Sequence, residues 1–284
     1  FFFSAIASGT EQSTMTVKVS NKVAISGPNI LNYDASTTDT WHKDVLPTVS
    51  SPVDLSFLNS NDLPAGQHGF IKRDNDQLTF DDGQPVKFWG ANIQAYALFK
   101  TSDFDIKRHA KRIAHLGFNL IRLHHHDSAW VKPNIFKNPS DNTLELSASA
   151  LKKLDWWVKC LKDEGVYLWL DLHVGRTFTK NDGIDNFDDF AKGKDVAEVK
   201  GFNYYNDSIQ SAMQAFNEAY LTHVNQFTHL AYKDDPAVIA LLLTNENDLS
   251  HHFGNALLPD KGVPIHNAIF DQDIRQFTDT YGLP

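Results

Sequence analysis

Residues 241–250 read LLLTNENDLS. Three leucines ask for burial, and Asn245, Glu246, Asn247 and Asp248 follow at once, so a carboxylate stands at the mouth of an apolar strand. Upstream, Arg122 follows FNLI in mid-strand, where a permanently charged guanidinium needs a carboxylate partner. His124, His125 and His126 come next, then Asp127. Strand alternation places Arg122, His124 and His126 on one face and His125 on the other, with His126 and Asp127 nearest the strand end. In YLWLDLHV, Asp171 and His173 share parity. These residue types suit proton transfer at a cleft. His124, His126, His173 and Asp171 also have the chemistry to hold zinc or a metal pair. Against that, the His-x-His lies on the second strand rather than the first, and Arg122 would repel a cation two residues away.

The elements that must position these groups follow a rhythm. VKFWGAN, FNLIRLHHHD, VYLWLDLHV and AVIALLLTNEND read as strands, expected near 86–92, 118–124, 166–173 and 238–244. Between them lie helical patterns. Ser102 caps the first and Gly117 stops it. Leu151, Leu154, Val158 and Leu161 form the stripe of the second, which Gly165 ends. A third runs from Asn206 to Asp235 with Ile209, Met213, Phe216, Tyr220, Val224 and Phe227 on one face. IFDQDIRQFTDTYGLP predicts a fourth. Asp82-Gly83 is a hairpin turn signal, and residues 174–206 read as a long loop.

Strand–helix alternation means a parallel sheet, and near-continuous apolar strands fit burial on both faces. A doubly wound fold would open on a Gly-rich phosphate turn, but GANIQAYALF has none. Asn92, Arg122 to Asp127, Asp171, His173, Asn245 and Glu246 all gather toward C-terminal strand ends, the rim where a (β/α)8 TIM barrel carries its chemistry. About four βα units are present, in an α/β chain.

Length and composition bound the rest. With 284 residues, 42% of them hydrophobic, the chain can bury a large core. A formal charge of −9 argues against nucleic acid or anionic membrane as partner. No apolar run reaches the ~18 residues of a membrane span. Cys160 is the single cysteine, placed in a helix and expected to be packed and inert. The start, FFFSAIAS, has the small-x-small form of a signal-peptidase site at Ala5-Ile6-Ala7. Residues 1–7 therefore read as a signal-peptide remnant of an exported protein, secreted or periplasmic. Residues 8–64 read as a β-rich, extended N-terminal region, and 65–284 as half of a barrel.

FWGAN, GFNLIRLHHHD, YLWLDLHVGR and LLLTNEN, in this order, resemble the first four barrel strands of the family 5 glycoside hydrolases, the cellulase family. The resemblance implies a retaining, endo-acting hydrolase of β-linked polysaccharide (cellulase, β-glucanase or mannanase type) with no cofactor. It makes Glu246 the general acid/base, sets Asn245 on the sugar 2-hydroxyl, has Arg122 orient the nucleophile and places His173 in the catalytic centre. Asn92, His126, Asp127 and Trp130 are the substrate-contact candidates; Phe178, Phe187, Tyr204, Tyr205 and Phe253 are further rim aromatics able to stack on sugar or pack their own loops. The family nucleophile lies on the seventh strand and is expected beyond Pro284, in a missing second half of the barrel. A metal-dependent barrel hydrolase and a non-catalytic carbohydrate-binding barrel are the rival readings.

Overall fold

The computed structural model describes residues 53–248 and 261–283. The chain divides into two units, Phe1–Pro47 and Thr48–Pro284. The first lies outside the described residues, as do the signal-peptide motif and most of the N-terminal region. Residues 53–64, expected with that region, belong to the second unit: Leu55 N donates to His115 O, and Asn59 Nδ2 donates to Phe118 O and Glu164 O.

The described elements are β1 (Ile71–Asp74), β2 (Gln77–Phe80), β3 (Gly90–Gln94), α1 (Tyr96–Lys100), α2 (Asp103–His115), β4 (Leu120–His124), β5 (Phe136–Asn138), β6 (Asn142–Leu146) and α3 (Ala148–Asp163). They continue with β7 (Tyr167–His173), β8 (Thr177–Thr179), α4 (Phe187–Ala191), β9 (Val196–Glu198), α5 (Asp207–Leu221), β10 (Val238–Thr244) and α6 (Pro264–Tyr281). β3, β4, β7 and β10 form one four-stranded sheet in the spatial order β10-β7-β4-β3, every pair parallel. This is the parallel sheet with intervening helices of a partial (β/α)8 barrel.

One face of the sheet is sealed by helices. Ile121, Leu123, Leu168, Leu170 and Leu172 are at most 1% exposed and share a core with Ile106 and Ala110 of α2 and Leu154, Val158 and Leu161 of α3. Ser102 caps α2 and Ser147 caps α3 through side-chain oxygens. Gly165 follows α3 at φ +71, and a Cβ there would meet Asn59 backbone and side chain at 2.9 Å. Only glycine fits. Cys160 is buried in α3, and burial pushes its thiol up to about 12. β10 is an edge strand, where Leu241 and Leu243 are 43% and 66% exposed. No described helix is long and apolar enough to cross a membrane.

Three local expectations differ from the structure. β3 runs from Gly90 to Gln94 rather than 86 to 92, because the Asn119 side chain occupies Trp89 N at 2.7 Å and Lys87 O at 2.8 Å. The expected Asp82-Gly83 turn is formed, with Phe80 N donating to Gln84 O and Thr79 bridging Pro85 antiparallel, and a further hairpin, β1–β2, turns at Asn75 (φ 55). α5 stops at Leu221, and Val224 is exposed. Buried Asn225 breaks the helix by accepting from Phe227 N and Thr228 N on its own side chain. α6 starts five residues earlier than the apolar pattern suggests, with Pro264 in its first turn. The short pairs β5–β6 and β8–β9 decorate the loops after β4 and β7.

Candidate active site

Asp171, on β7, has no exposed surface. A carboxylate held that deep needs charge-assisted donors. Arg122 Nε lies 2.9 and 3.0 Å from its two oxygens, Arg122 Nη2 lies 2.9 Å from Oδ2, and His124 Nδ1 donates to Oδ2 as well. Arg122 faces Trp169 in register, and Asp171 is two residues further along the same face, so the pair forms diagonally across two adjacent strands. The carboxylate partner that the sequence demands for Arg122 is therefore Asp171. Arg122 Nη2 also donates to Asn245 Oδ1 at 2.9 Å, which joins β4 to the end of β10.

Asn245 N donates to His173 O at 2.9 Å, carrying the β7–β10 ladder one step past Thr244. Glu246 then adopts a left-handed backbone, φ 48, and leaves the sheet with its side chain exposed. Asn247 is clamped from the 201–204 turn. Gly201 N donates to its Oδ1 at 2.6 Å, its Nδ2 donates to Asn203 Oδ1 at 2.9 Å, and Tyr204 Oη donates to its carbonyl. Asn245 and Asn247, on either side of Glu246, line a cavity of about 30 Å³ together with His173, Lys200 and Asn203.

His173 Nε2 donates to Asn217 Oδ1 at 2.9 Å, and its ring packs 5.0 Å from that of Phe216. Burial pushes its pKa down to about 4, so at neutral pH it is an uncharged imidazole with Nδ1 left as acceptor. Near it Arg176 is buried, with no carboxylate in ion-pair contact among the described residues. It donates to Thr143 Oγ1 and O at 3.0 Å each and lies 4.2 Å from the centre of the Phe178 ring. Burial lowers its pKa to about 10.

The His124–Asp127 run departs from simple alternation. His125 takes φ 58 just after β4 ends, and this reversal turns the next two residues inward. His126 is fully buried and stacks on Tyr220 at 5.3 Å, with no hydrogen-bond partner for either ring nitrogen. Asp127 is 1% exposed, and its oxygens accept from Val174 N at 2.8 Å and Gly175 N at 3.0 Å. Both were expected to contact sugar. His126 is core packing instead, and Asp127 braces the backbone that leaves β7. The ring facing outward is His125, 5.1 Å from Trp130 and hydrogen-bonded through Nδ1 to Ser128 Oγ.

Trp130 is 53% exposed on the rim, and Tyr96 Oη donates to its carbonyl at 2.6 Å with the two rings edge-on at 5.9 Å. The one sequence signal for Tyr96 is an aromatic two residues past the end of β3. Asn92 is exposed in mid-β3, opposite Arg122 rather than at a strand end. Of the other rim aromatics, Phe178, Phe187 and Tyr205 are buried, Tyr204 is exposed and Phe253 lies outside the described residues. The four residues weighed as metal ligands do not converge, since His126 points into the core and His173 engages Asn217. Among the described residues no group of three or more His, Cys, Asp or Glu could hold a metal ion.

A parallel sheet sealed by helices, with polar side chains joined toward its C-terminal strand ends, is the arrangement of a partial (β/α)8 barrel. The family model "Cellulase (glycosyl hydrolase family 5)" matches residues 80–249, and the chain belongs to that family. Among solved structures, it is similar to the endo-1,4-beta-mannanase from Rhizomucor miehei: 20% identity and a TM-score of 0.48, covering 66% of this chain and 51% of that one. It is also similar to a glycoside hydrolase family 5 mannosidase from Rhizomucor miehei (15% identity, TM-score 0.49, 64% and 50% covered). A third is the hyperthermostable endo-1,4-beta-D-mannanase from Thermotoga petrophila RKU-1 (17% identity, TM-score 0.39, 57% and 45% covered). The chain thus spans about half the length of these solved chains. No curated protein matches it.

Proposed function

We propose that this chain carries the acid/base half of a retaining, endo-acting hydrolase of β-linked polysaccharide. Glu246 is the general acid/base, Asn245 the partner of the sugar 2-hydroxyl, and Arg122 and His173 position the centre. The observation that carries this reading is the bond from Arg122 Nη2 to Asn245 Oδ1. It fixes the amide beside Glu246 from a neighbouring strand, while the Asn247 clamp fixes the other side. In the first half-reaction Glu246 gives its proton to the glycosidic oxygen as that bond breaks. In the second it takes a proton from the water that releases the sugar. Retention needs a second carboxylate ~5–5.5 Å away. The family reading puts that group on the seventh strand, in the half of the barrel that would continue the sheet beyond β10. Asp171 is a poor substitute, since Arg122 and His124 already occupy it and it has no exposed surface. Trp130 supplies the substrate platform, and Asn92, exposed on β3, is a further candidate contact. The Ala5-Ile6-Ala7 motif supports export.

The test is Glu246→Gln in the full-length protein. Hydrolysis of polysaccharide should fall by ~10²–10⁴-fold. Aryl glycosides with a good leaving group need little protonation, so their first step should fall less. Near-normal activity on polysaccharide would reject Glu246.

A further inference from the structure

The reversal after β4 leaves one polar group without a role. His125 takes φ 58, and its ring faces outward while His126 and Asp127 turn inward. An L side chain holds that backbone at a cost, and such strain persists only where the surroundings enforce it. Here they do. His125 Nδ1 is hydrogen-bonded to Ser128 Oγ at 2.8 Å, and Ser128 has no exposed surface. Gly175, in the chain leaving β7, packs so closely on Ser128 that a Cβ there would collide with Oγ. Ala129 N donates to Gly175 O at 3.2 Å, which ties the same two loops. The rings of His124 and Trp130 flank the imidazole at 4.1 and 5.1 Å.

What the ring offers is Nε2. It has no hydrogen-bond partner among the described residues and, unlike the two nitrogens of His126, is not sealed from solvent. Burial, with His124 and Lys200, holds the pKa of His125 below its ordinary value against the pull of Asp127 and Glu246. At neutral pH the ring is therefore uncharged, with one donor and one acceptor nitrogen. Whichever of these Ser128 engages, Nε2 is left as the other, and a sugar hydroxyl, being both donor and acceptor, meets either. Glu246 is among the charges that act on this ring, so His125 has Trp130 beside it and the acid/base within electrostatic reach. A pyranose asks for two surfaces, an aromatic face against its C–H groups and a polar atom for the hydroxyls at its edge. Trp130, 53% exposed, offers the first, and His125 Nε2 the second.

We propose that His125 hydrogen-bonds a hydroxyl of the sugar seated on Trp130, and that Ser128 is the positioning residue that aims Nε2. The proposal rests on the reading of this rim as a glycosidase site. Full-length Glu246→Gln protein labelled with ¹⁵N-histidine would be titrated with cellohexaose and with mannohexaose, the His125 signals being those lost in His125→Asn. At least one hexaose should shift His125 Nε2 saturably. Asparagine tolerates the positive φ, and its amide reaches toward Ser128 but not to the place of Nε2. With Glu246 intact, His125→Asn should raise KM for the matching polysaccharide roughly three- to tenfold, the worth of one neutral hydrogen bond, with kcat changed much less. Ser128→Ala should shift His125 Nδ1 in the free protein and raise KM by part of that factor, and it should add nothing on top of His125→Asn. A hexaose that binds without moving Nε2, no shift from either hexaose, or an unchanged KM in His125→Asn would overturn the contact; an unmoved Nδ1 or a fully additive KM would overturn the role of Ser128. Hydrolysis that persists in Glu246→Gln would reject the acid/base assignment instead, and it shows as new reducing ends, apart from the signal of His125.

Discussion

Arg122 and Asn245 meet across β7: Nη2 of the one donates to Oδ1 of the other at 2.9 Å, over the strand that carries Asp171. A single guanidinium thus neutralises a fully buried carboxylate and orients the amide next to Glu246. Arg122→Ala should remove both. Losing one partner of a buried charge pair costs ~3–5 kcal/mol, readable as a lowered urea midpoint. Adding Asp171→Ala to Arg122→Ala should cost less than the two single changes summed. Strict additivity would show that the pair is not coupled.

His173 sets an acid limit on stability. Its folded pKa is depressed by burial from 6.5 to about 4, so the unfolded chain binds the proton more tightly. The stability tied to the neutral ring is present above pH 6.5 and is lost as pH falls toward 4. Fully buried His126, also lowered by burial, acts in the same direction. Urea midpoints measured between pH 7 and 4 should fall less steeply in His173→Gln than in the parent. An unchanged slope would mean that the ring takes up its proton alike in the folded and the unfolded chain.

A second buried carboxylate holds the underside. Asp155 of α3 accepts from Tyr232 Oη at 2.8 Å, His223 Nε2 at 3.0 Å and Gln226 N at 3.2 Å. Burial pushes its pKa up, and these donors outweigh it, leaving the carboxyl below its usual value of 3.8. Its contribution is therefore present above pH 3.8 and lost as pH falls through the lower, folded value, a more acidic window than that of His173. Asp155→Ala leaves several donors without an acceptor and should cost about 3 kcal/mol at pH 7. Activity of the folded fraction should be unaffected.

On the rim, Trp130→Ala should raise KM for polysaccharide roughly tenfold, the scale of one lost aromatic contact of 1–1.5 kcal/mol, with kcat changed much less. Tyr96→Phe removes only the hydroxyl that holds the Trp130 carbonyl, so it should lie between parent and Trp130→Ala. A Trp130 change seen in kcat alone would place the ring away from the sugar.

The parallel sheet was legible because VYLWLDLHV and AVIALLLT are near-continuous apolar runs alternating with helical patterns; β7 buries side chains on both faces, while β10 lies at the sheet edge with Leu241 and Leu243 exposed. Parity also grouped Arg122 with His124, and both meet Asp171 in the structure. Extrapolating parity past His124 failed, because His125 reverses the backbone and no residue type announces φ 58 there. That reversal moved His126 and Asp127 from the cleft to the interior. The β5–β6 and β8–β9 pairs were illegible for another reason: each strand is 3 to 5 residues, too short for periodicity to register. The overlong α5 came from reading an apolar spacing through Asn225, whose side chain competes with the helix for its own amides.

The backbone of Glu246 has an evolutionary consequence. A φ of 48 is one that glycine adopts freely and asparagine tolerates, while a longer L side chain pays roughly 1–2 kcal/mol to hold it. At this position thermodynamics and utility pull apart. Random drift under selection for stability alone would replace Glu246 with Gly or Asn, and the resulting protein would melt later than its parent. A lineage that keeps glutamate here is keeping it against its own fold.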